Sequence, residues 1–227
     1  MPKLLKYTSS EVARYNGSDL VTMIDGYHQL WEADVLGKQN LIDMHMMCQG
    51  FLDNSLHLSK RQLTGNQFAS LITQISNARR NGVYQYDQTT VSKLESMFCL
   101  DKQKEFTFSV SDLLTLLKNF EVISSAQSMN KIAATTVTLL SSAIKNSDKD
   151  MLELCKLLDD RGMLEDNEQL CDYIQEYVEK RFDTMDIGTV LAFAEFFKQL
   201  GLWNWNIQLM LQIKEHFRRS YIDYEVP

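Results

Sequence analysis

Apolar residues recur along the chain in blocks with the three- and four-residue spacing of one face of an α-helix. One block lies in residues 111–120, SDLLTLLKNF, and residues 18–27, SDLVTMIDGY, repeat its pattern 93 residues earlier. Each begins with a Ser that can serve as an N-cap and an Asp that places negative charge in the first helical turn. We therefore predict that two amphipathic helices of one type begin at Ser18 and Ser111.

The same stripe recurs at residues 151–158 and again 39 residues later, at 190–197. The segments that follow also agree, since GMLEDNEQLC at 162–171 aligns with GLWNWNIQLM at 201–210. Gly162 and Gly201 stand where a helix ends in a left-handed residue. In this register Leu152 and Leu191 are predicted to occupy matching buried positions.

Together with a further apolar block at 68–78, the pattern predicts five antiparallel pairs of helices. Their predicted bounds are 18–34 with 40–57, 66–81 with 88–100, 111–123 with 129–146, 149–161 with 167–182, and 187–200 with 204–220. Two helices per repeat of about 38–40 residues are typical of an α-solenoid. The predicted fold is therefore all-α, a right-handed superhelical stack of helical hairpins. An irregular helical bundle whose helices share a stripe by chance is the alternative.

The predicted repeats are uneven. The first helices of the first three pairs are separated by 48 and 45 residues, so we expect the N-terminal half to be less regular and the last three pairs to stack evenly. Residues 1–17 are predicted to form an N-terminal arm with a short helix from Ser9 or Ser10. Residues 18–220 form the repeat domain, and 221–227 form a C-terminal tail.

Composition agrees with a helical, reduced protein. Only Pro2 and Pro227 occur among 227 residues, and proline is the residue that breaks helices. The four cysteines, Cys48, Cys99, Cys155 and Cys171, have no CxxC spacing and fall within apolar stripes. We expect them to be reduced core residues in a reducing compartment. No apolar run reaches the 18 residues that a membrane span needs, so the chain is not predicted to be transmembrane.

The formal net charge of −7 is concentrated in one segment. Residues 147–183 hold twelve acidic and five basic residues, whereas the remainder of the chain is balanced. Because phosphate binding depends on neutralisation by Lys and Arg, this segment disfavours nucleic acid there. The first residues differ, since Lys3, Lys6 and Arg14 outnumber Glu11, a composition similar to a mitochondrial transit segment.

Three stretches carry a resemblance to known repeats. SDLVTMIDGYHQL resembles the first helix of a pentatricopeptide-type repeat, and LELCKLLDDRGM resembles the end of a second helix. The 38–39-residue spacing and FAEFFKQLGLWN are similar to the octotricopeptide and RAP-associated helical repeats of organellar proteins. The resemblance implies an organellar setting, either with RNA or within a large complex. It assigns no base-reading residue, because the register of those repeats cannot be placed here.

The sequence contains no catalytic motif of the common nucleotide-binding, hydrolase or metalloprotease types. His45 and Cys48 lie three residues apart, but a Zn²⁺ site needs three or four ligands. Core packing of both is the better interpretation. We expect a protein that is not an enzyme and holds no metal or cofactor.

Two groups of residues are candidates for binding. The candidates for a protein partner are Trp203, Trp205, Asp159, Asp160, Glu165, Asp166, Tyr221 and Tyr224. Aromatic residues at a turn are typical of binding surfaces, and the acidic cluster indicates a solvated or partner-facing edge. The candidates for RNA are Arg79, Arg80, Arg218 and Arg219, although cations near helix C-termini also have a structural use.

The sequence therefore predicts a non-catalytic helical-repeat scaffold that mediates protein contacts in a large assembly. The expected assembly is mitochondrial, such as a respiratory complex, the ATP synthase or the organellar ribosome, with a cytoplasmic setting as the other option. The alternative function is organellar RNA binding in RNA processing or translation.

Overall fold

A computed structural model describes residues 16–54, 63–99, 106–144, 147–165 and 167–222. The side chains of residues 54, 203, 205, 206 and 216–222 lie outside this description. The described chain is all-α, as predicted. The predicted N-terminal helix from Ser9 or Ser10 lies outside the described residues.

Ten predicted helices are present in the described chain. They are α1 (Gly17–Glu32), α2 (Lys38–Asn54), α3 (Gly65–Arg80), α4 (Gln88–Cys99), α5 (Val110–Ile123), α6 (Ala126–Leu140), α7 (Asp148–Asp159), α8 (Glu168–Arg181), α9 (Ile187–Gln199) and α10 (Trp203–Ile222). A short 3₁₀ turn, Phe182–Thr184, extends α8. The largest error is the end of α6, at Leu140 instead of 146. There the hydroxyl groups of Ser141 and Ser142 donate to carbonyl groups of α6 and compete with continuation of the helix.

The odd-numbered helices begin with the same hydrogen bond. Their N-caps are Asn16, Thr64, Ser109, Ser147 and Asp186, and each side-chain oxygen accepts from the backbone N–H three residues later. The N-caps are 48, 45, 38 and 39 residues apart, which are the predicted spacings.

The predicted N-caps Ser18 and Ser111 are wrong by two residues. Asn16 and Ser109 cap these helices, and Asp19 and Asp112 each accept a bond from the backbone N–H of the cap residue. These reciprocal bonds form a capping box, which places the Asp at the third helical position. Ser18 and Ser111 consequently lie inside the first turn.

One apolar stripe is common to the odd-numbered helices, at the fourth, seventh, eighth and eleventh residues after the N-cap. In α3, α5, α7 and α9 these residues are all buried: Phe68, Leu71, Ile72, Ile75, Leu113, Leu116, Leu117, Phe120, Met151, Leu154, Cys155, Leu158, Val190, Phe193, Ala194 and Phe197. The fifth residue lies to one side of this stripe.

The predicted burial of Leu152 and Leu191 is wrong, because both occupy that fifth position. Leu152 is half-buried, and Leu191 exposes 43% of its surface. The repeat of 39 residues is correct, but Met151 and Val190 are its matching buried residues.

Two layers of helices form residues 16–144. In the first layer, α1 packs on α3 and α3 packs on α5; in the second, α2 packs on α4 and α4 packs on α6. Neighbours in the first layer point the same way, since Gln67 donates to Ser18 near the start and Gln74 donates to Asp25 further along. Gly65 permits close approach at the start of α3, because a Cβ there would collide with the Thr107 carbonyl oxygen.

The chain divides into two compact units, residues 1–145 and 146–227. In the second unit α9 packs against both α7 and α10. Gly162 and Gly201 have the predicted left-handed conformation, with φ of 68° and 74°, and Gly82 shares it. Within the described residues, every helix is too short or too polar to cross a bilayer.

The corrected register gives a stability prediction within one unit. Leu154→Ala removes a fully buried side chain and should lower the free energy of unfolding by about 2–5 kcal/mol. Leu191→Ala, at the exposed position, should change it by less than about 0.5 kcal/mol. Urea unfolding followed by circular dichroism compares the two variants. Equal losses would contradict the register.

Candidate functional site

The last two helices expose large apolar side chains to solvent. We call this set the terminal apolar face: Ile187 and Leu191 of α9, with Ile207, Met210 and Leu211 of α10. Their exposed fractions range from 38% for Ile187 to 60% for Leu211. Single exposed apolar residues are ordinary, but a group on two adjacent helices is typical of an interaction surface.

Helix α10 carries apolar residues on two opposite sides. Leu209 and Ile213 are buried, while Ile207, Met210 and Leu211 point away from them into solvent. Residues 203–213 also contain no charged side chain. A helix that is apolar on both sides is typical of one that is covered on both sides.

A signal for the terminal apolar face was present in the sequence but was not used. The run Ile-Gln-Leu-Met-Leu-Gln-Ile at 207–213 has more apolar positions than one helix face can bury. The predicted partner-binding residues Trp203 and Trp205 are in the first turns of α10, and their side chains lie outside the described residues. Tyr221 is within α10 but its side chain is also outside them, as is all of Tyr224.

The predicted acidic cluster lies at the end of α7 and in the following turn. Asp160 and Glu165 are exposed, Asp159 is half-buried, and Asp166 is outside the described residues. Burial raises the pKa of Asp159, and the charges of Asp160 and Glu165 raise it further. The described members of the cluster therefore lie close enough for their charges to interact.

Another acidic residue of the same segment has a structural role. The Asp148 carboxylate accepts bonds of 2.6 Å from both the Tyr177 hydroxyl and the Arg181 Nε. Arg181 also lies over the Tyr177 ring, 5.7 Å from its centre. These contacts tie the start of α7 to the end of α8, so part of the basic charge in this segment is used internally.

One of the predicted RNA-binding cations is used within the fold. The Arg79 guanidinium donates a 3.1 Å bond to the carbonyl oxygen of Ile123, at the end of α5. A cation at this position satisfies a terminal carbonyl group and stabilises the negative end of the helix dipole. Arg80 is exposed at the end of α3, and the side chains of Arg218 and Arg219 lie outside the described residues.

A chain of buried polar side chains joins α1, α2 and the segment after α3. His28 Nε2 is 2.9 Å from His45 Nε2, and His45 Nδ1 is 2.8 Å from the Tyr86 hydroxyl. Tyr86 is also hydrogen-bonded to Cys48, and the ring of Tyr84 stacks on His45 at 5.9 Å. We call His28, His45, Cys48 and Tyr86 the buried histidine cluster.

The cluster requires neutral imidazoles. Between the two Nε2 atoms one histidine must donate and the other must accept, so a second proton would place two N–H groups against each other. His28 Nδ1 is buried without a hydrogen-bond partner. The order with the fewest unpaired donors therefore has His28 donating to His45, His45 to Tyr86, and Tyr86 to Cys48.

Burial shifts the pKa values of the whole cluster toward the neutral forms. It lowers the pKa of His45 to about 3, with a smaller contribution from His28, and it also lowers that of His28. It raises the pKa of Cys48 to about 12 and that of Tyr86 well above the usual value. A buried thiol of this kind is not a nucleophile at neutral pH.

The four residues of the buried histidine cluster belong to the packed interior of the first unit. His28, His45, Cys48 and Tyr86 are all buried, which agrees with the core packing expected of His45 and Cys48. Cys155 is buried as expected, whereas Cys99 and Cys171 are only half-buried. Across the described chain, His, Cys, Asp and Glu nowhere gather in the threes that a metal ion requires.

A small depression lies where α8, α9 and α10 meet. Only about 10 Å³ of it is open to the centre of a water molecule, and it is bordered by Val178, Phe197, Leu209 and several glutamine side chains. Sites for drug-sized molecules usually enclose about 300–1,000 Å³. The depression is therefore too small for a drug-sized ligand, and we interpret it as a packing gap between the helices.

Comparison with protein-family models, with curated proteins and with solved structures found no match to this chain. Function must therefore be inferred from its own residues.

The Arg79 bond is tested by two neighbouring substitutions. Arg79→Gln removes the bond to Ile123 and should lower the free energy of unfolding by about 1 kcal/mol. Arg80→Gln makes the same change in charge on the adjacent exposed residue and should have less than half that effect. Urea unfolding at one ionic strength compares them, and equal effects would assign the loss to charge alone.

The buried histidine cluster predicts destabilisation in acid. Because the pKa values of His28 and His45 are lowered in the folded chain, between pH 6.5 and about 3 the unfolded chain binds more protons. The contribution to stability is complete above pH 6.5 and is lost as the pH falls, by about 1.4 kcal/mol per pH unit for each histidine protonated only on unfolding.

The double variant His28→Leu, His45→Leu isolates this effect. Both proteins share the carboxylates, so the difference between their pH dependences reports the histidines. We expect the variant to lose less stability between pH 6.5 and 4.5, measured by urea unfolding. The same loss in both proteins would show that the imidazoles titrate normally in the folded state.

Proposed function

We propose that this chain is a non-catalytic helical-repeat subunit that binds other proteins within a large assembly. In this proposal its five antiparallel helix pairs form a right-handed α-solenoid. The terminal apolar face carries the proposal, because apolar side chains exposed on two adjacent helices are stabilised when a partner removes them from water.

The repeated construction of the odd-numbered helices supports the solenoid. The five odd-numbered helices have the same N-cap hydrogen bond and the same apolar stripe. In residues 16–144 the odd-numbered helices form one layer and the even-numbered helices form the other. Repeat proteins are built in this way, since each unit buries its apolar surface against its neighbours. Such stacks present extended surfaces for partner proteins.

Charge supports a protein partner more than RNA. Residues 146–227 contain seventeen acidic and nine basic residues, against thirteen and fourteen in residues 1–145. The unit with the terminal apolar face is thus strongly acidic, and it would repel a phosphate backbone. RNA binding remains the alternative proposal, although Arg79 is already bonded to Ile123.

A mitochondrial assembly is the proposed location. The basic composition of residues 1–17 and the resemblance to organellar repeats support it. The candidate assemblies are a respiratory complex, the ATP synthase and the organellar ribosome.

The proposal is tested by the size of the particle that contains the chain. In cells that naturally produce it, tagged chain should sediment far ahead of a free 26.3-kDa protein. Met210→Arg, Leu211→Arg should move it toward the free position, because two charges then replace exposed apolar contacts. After ribonuclease treatment the chain should still sediment ahead of the free position, because protein contacts hold it to its partners.

A matched control uses exposed apolar residues of the other unit. Val35 and Met46 each expose 56% of their surface, so Val35→Arg, Met46→Arg makes the same chemical change elsewhere. This control should remain in the particle. A wild-type chain that sediments alone would refute the proposal, and release by ribonuclease would favour the RNA alternative.

A further inference from the structure

The partner of helix α9 can be inferred from the way the chain packs its own helices. Counting from each N-cap makes positions in α1, α3, α5, α7 and α9 equivalent. We define the forward face of such a helix as its second, fifth and ninth residues after the N-cap. The rear face is its third, sixth and tenth residues.

Hydrogen bonds join the forward face of α1 to the rear face of α3. Gln67, third in α3, donates 2.6 Å to the Ser18 hydroxyl, second in α1. Ser70 and Gln74, sixth and tenth in α3, donate 2.9 Å and 2.8 Å to the Asp25 carboxylate, ninth in α1. The contact therefore uses all three positions of the rear face.

The same arrangement joins α3 to α5. Asn66, second in α3, donates 3.3 Å to Asp112, third in α5. Asn119, tenth in α5, donates 3.1 Å to the hydroxyl of Thr73, ninth in α3. Two successive contacts thus follow one rule, in which the next odd-numbered helix lies parallel and covers the forward face.

The fifth residue lies at the centre of the forward face, so its exposed fraction falls when another helix packs on that face. Val21 of α1 and Ala69 of α3 are each only 3% exposed beneath the following helix. In the second unit, Leu152 of α7 is half-buried and α9 packs on α7. Leu191 of α9 is 43% exposed, so within the described residues no such helix covers the forward face of α9.

The residue at the ninth position indicates which side chains a helix on the forward face of α9 must carry. In α1 this position is Asp25, which accepts bonds from Ser70 and Gln74, four residues apart. In α9 it is Glu195, an exposed carboxylate whose ion pair with Lys198 is long, at 3.8 Å. A covering helix must bring donors to this carboxylate, since burying it unpaired would be costly.

Resting on the proposed function, we infer that the forward face of α9 binds an amphipathic helix of another protein, parallel to α9. Its apolar side chains cover Leu191 and Ile187. Its donors, spaced four residues apart, bond to Glu195. Because residues 146–227 carry seventeen acidic and nine basic residues, the partner helix is basic around its apolar side. A dimer of this chain through the same face is disfavoured, because it would bring two acidic units against each other.

Photochemical cross-linking tests the inference in the full-length chain. A benzophenone amino acid replaces Leu191, the cells that naturally produce the protein are irradiated, and the joined peptide is sequenced by mass spectrometry. We expect a helical segment of another protein with basic residues beside its apolar side. The same amino acid at Leu152, a half-buried residue of α7, the helix that α9 packs on, is the matched control and should give bonds within the chain only.

Substitutions that reverse or keep the charge of Glu195 test its role in the same cross-linking experiment. Glu195→Lys should lower the yield of cross-linked partner about tenfold, because charge-assisted hydrogen bonds are replaced by repulsion. Glu195→Asp should retain most of the yield. Equal yields from the two variants would overturn the assignment of donors to this carboxylate.

The remaining outcomes separate this inference from the proposed function. A cross-link from position 191 to an acidic or non-helical segment of another protein overturns the inference and leaves the proposed function in place. A cross-link to a second copy of the chain, or to RNA, also overturns the inference. If position 191 forms no bond outside the chain, and the particle experiment also shows a free protein, both are wrong.

Discussion

The hydrogen bond between each N-cap side chain and the N–H three residues later sets the frame of the odd-numbered helices. Once Asn16, Thr64 or Ser109 fixes the start, every later residue has a determined direction around the helix axis. The fourth, seventh, eighth and eleventh residues then face the core. In α1 and α3 the second, fifth and ninth residues face the next helix in the layer.

Polar residues between neighbouring helices then fix how far one helix is shifted along the next. Apolar packing alone would tolerate a shift of one helix along another, whereas the bonds of Asp25 with Ser70 and Gln74 fix their relative position. The uneven distances between N-caps do not disturb the contacts, because the additional residues lie in the connections and second helices. Repeats of unequal length therefore preserve one packing rule.

Periodicity was sufficient to predict ten helices because amphipathic helices leave a strong pattern in sequence. It did not determine which side of a broad stripe is covered, so Leu191 was assigned to the core. The sequence showed the N-cap spacing but not its frame, since Ser18 and Ser111 have the same cap chemistry as the true caps. His28 joined no local motif, and only folding places it beside His45.

The buried histidine cluster can be completed only late in the synthesis of the first unit. His45 depends on Tyr86, which is 41 residues later in the sequence. When α1 and α2 have been synthesised, the imidazole of His45 still lacks this partner. The first helical pair therefore becomes complete only after α3 and its following turn have emerged from the ribosome. A nascent chain that ends before Tyr86 therefore lacks one hydrogen-bond partner for the His45 imidazole.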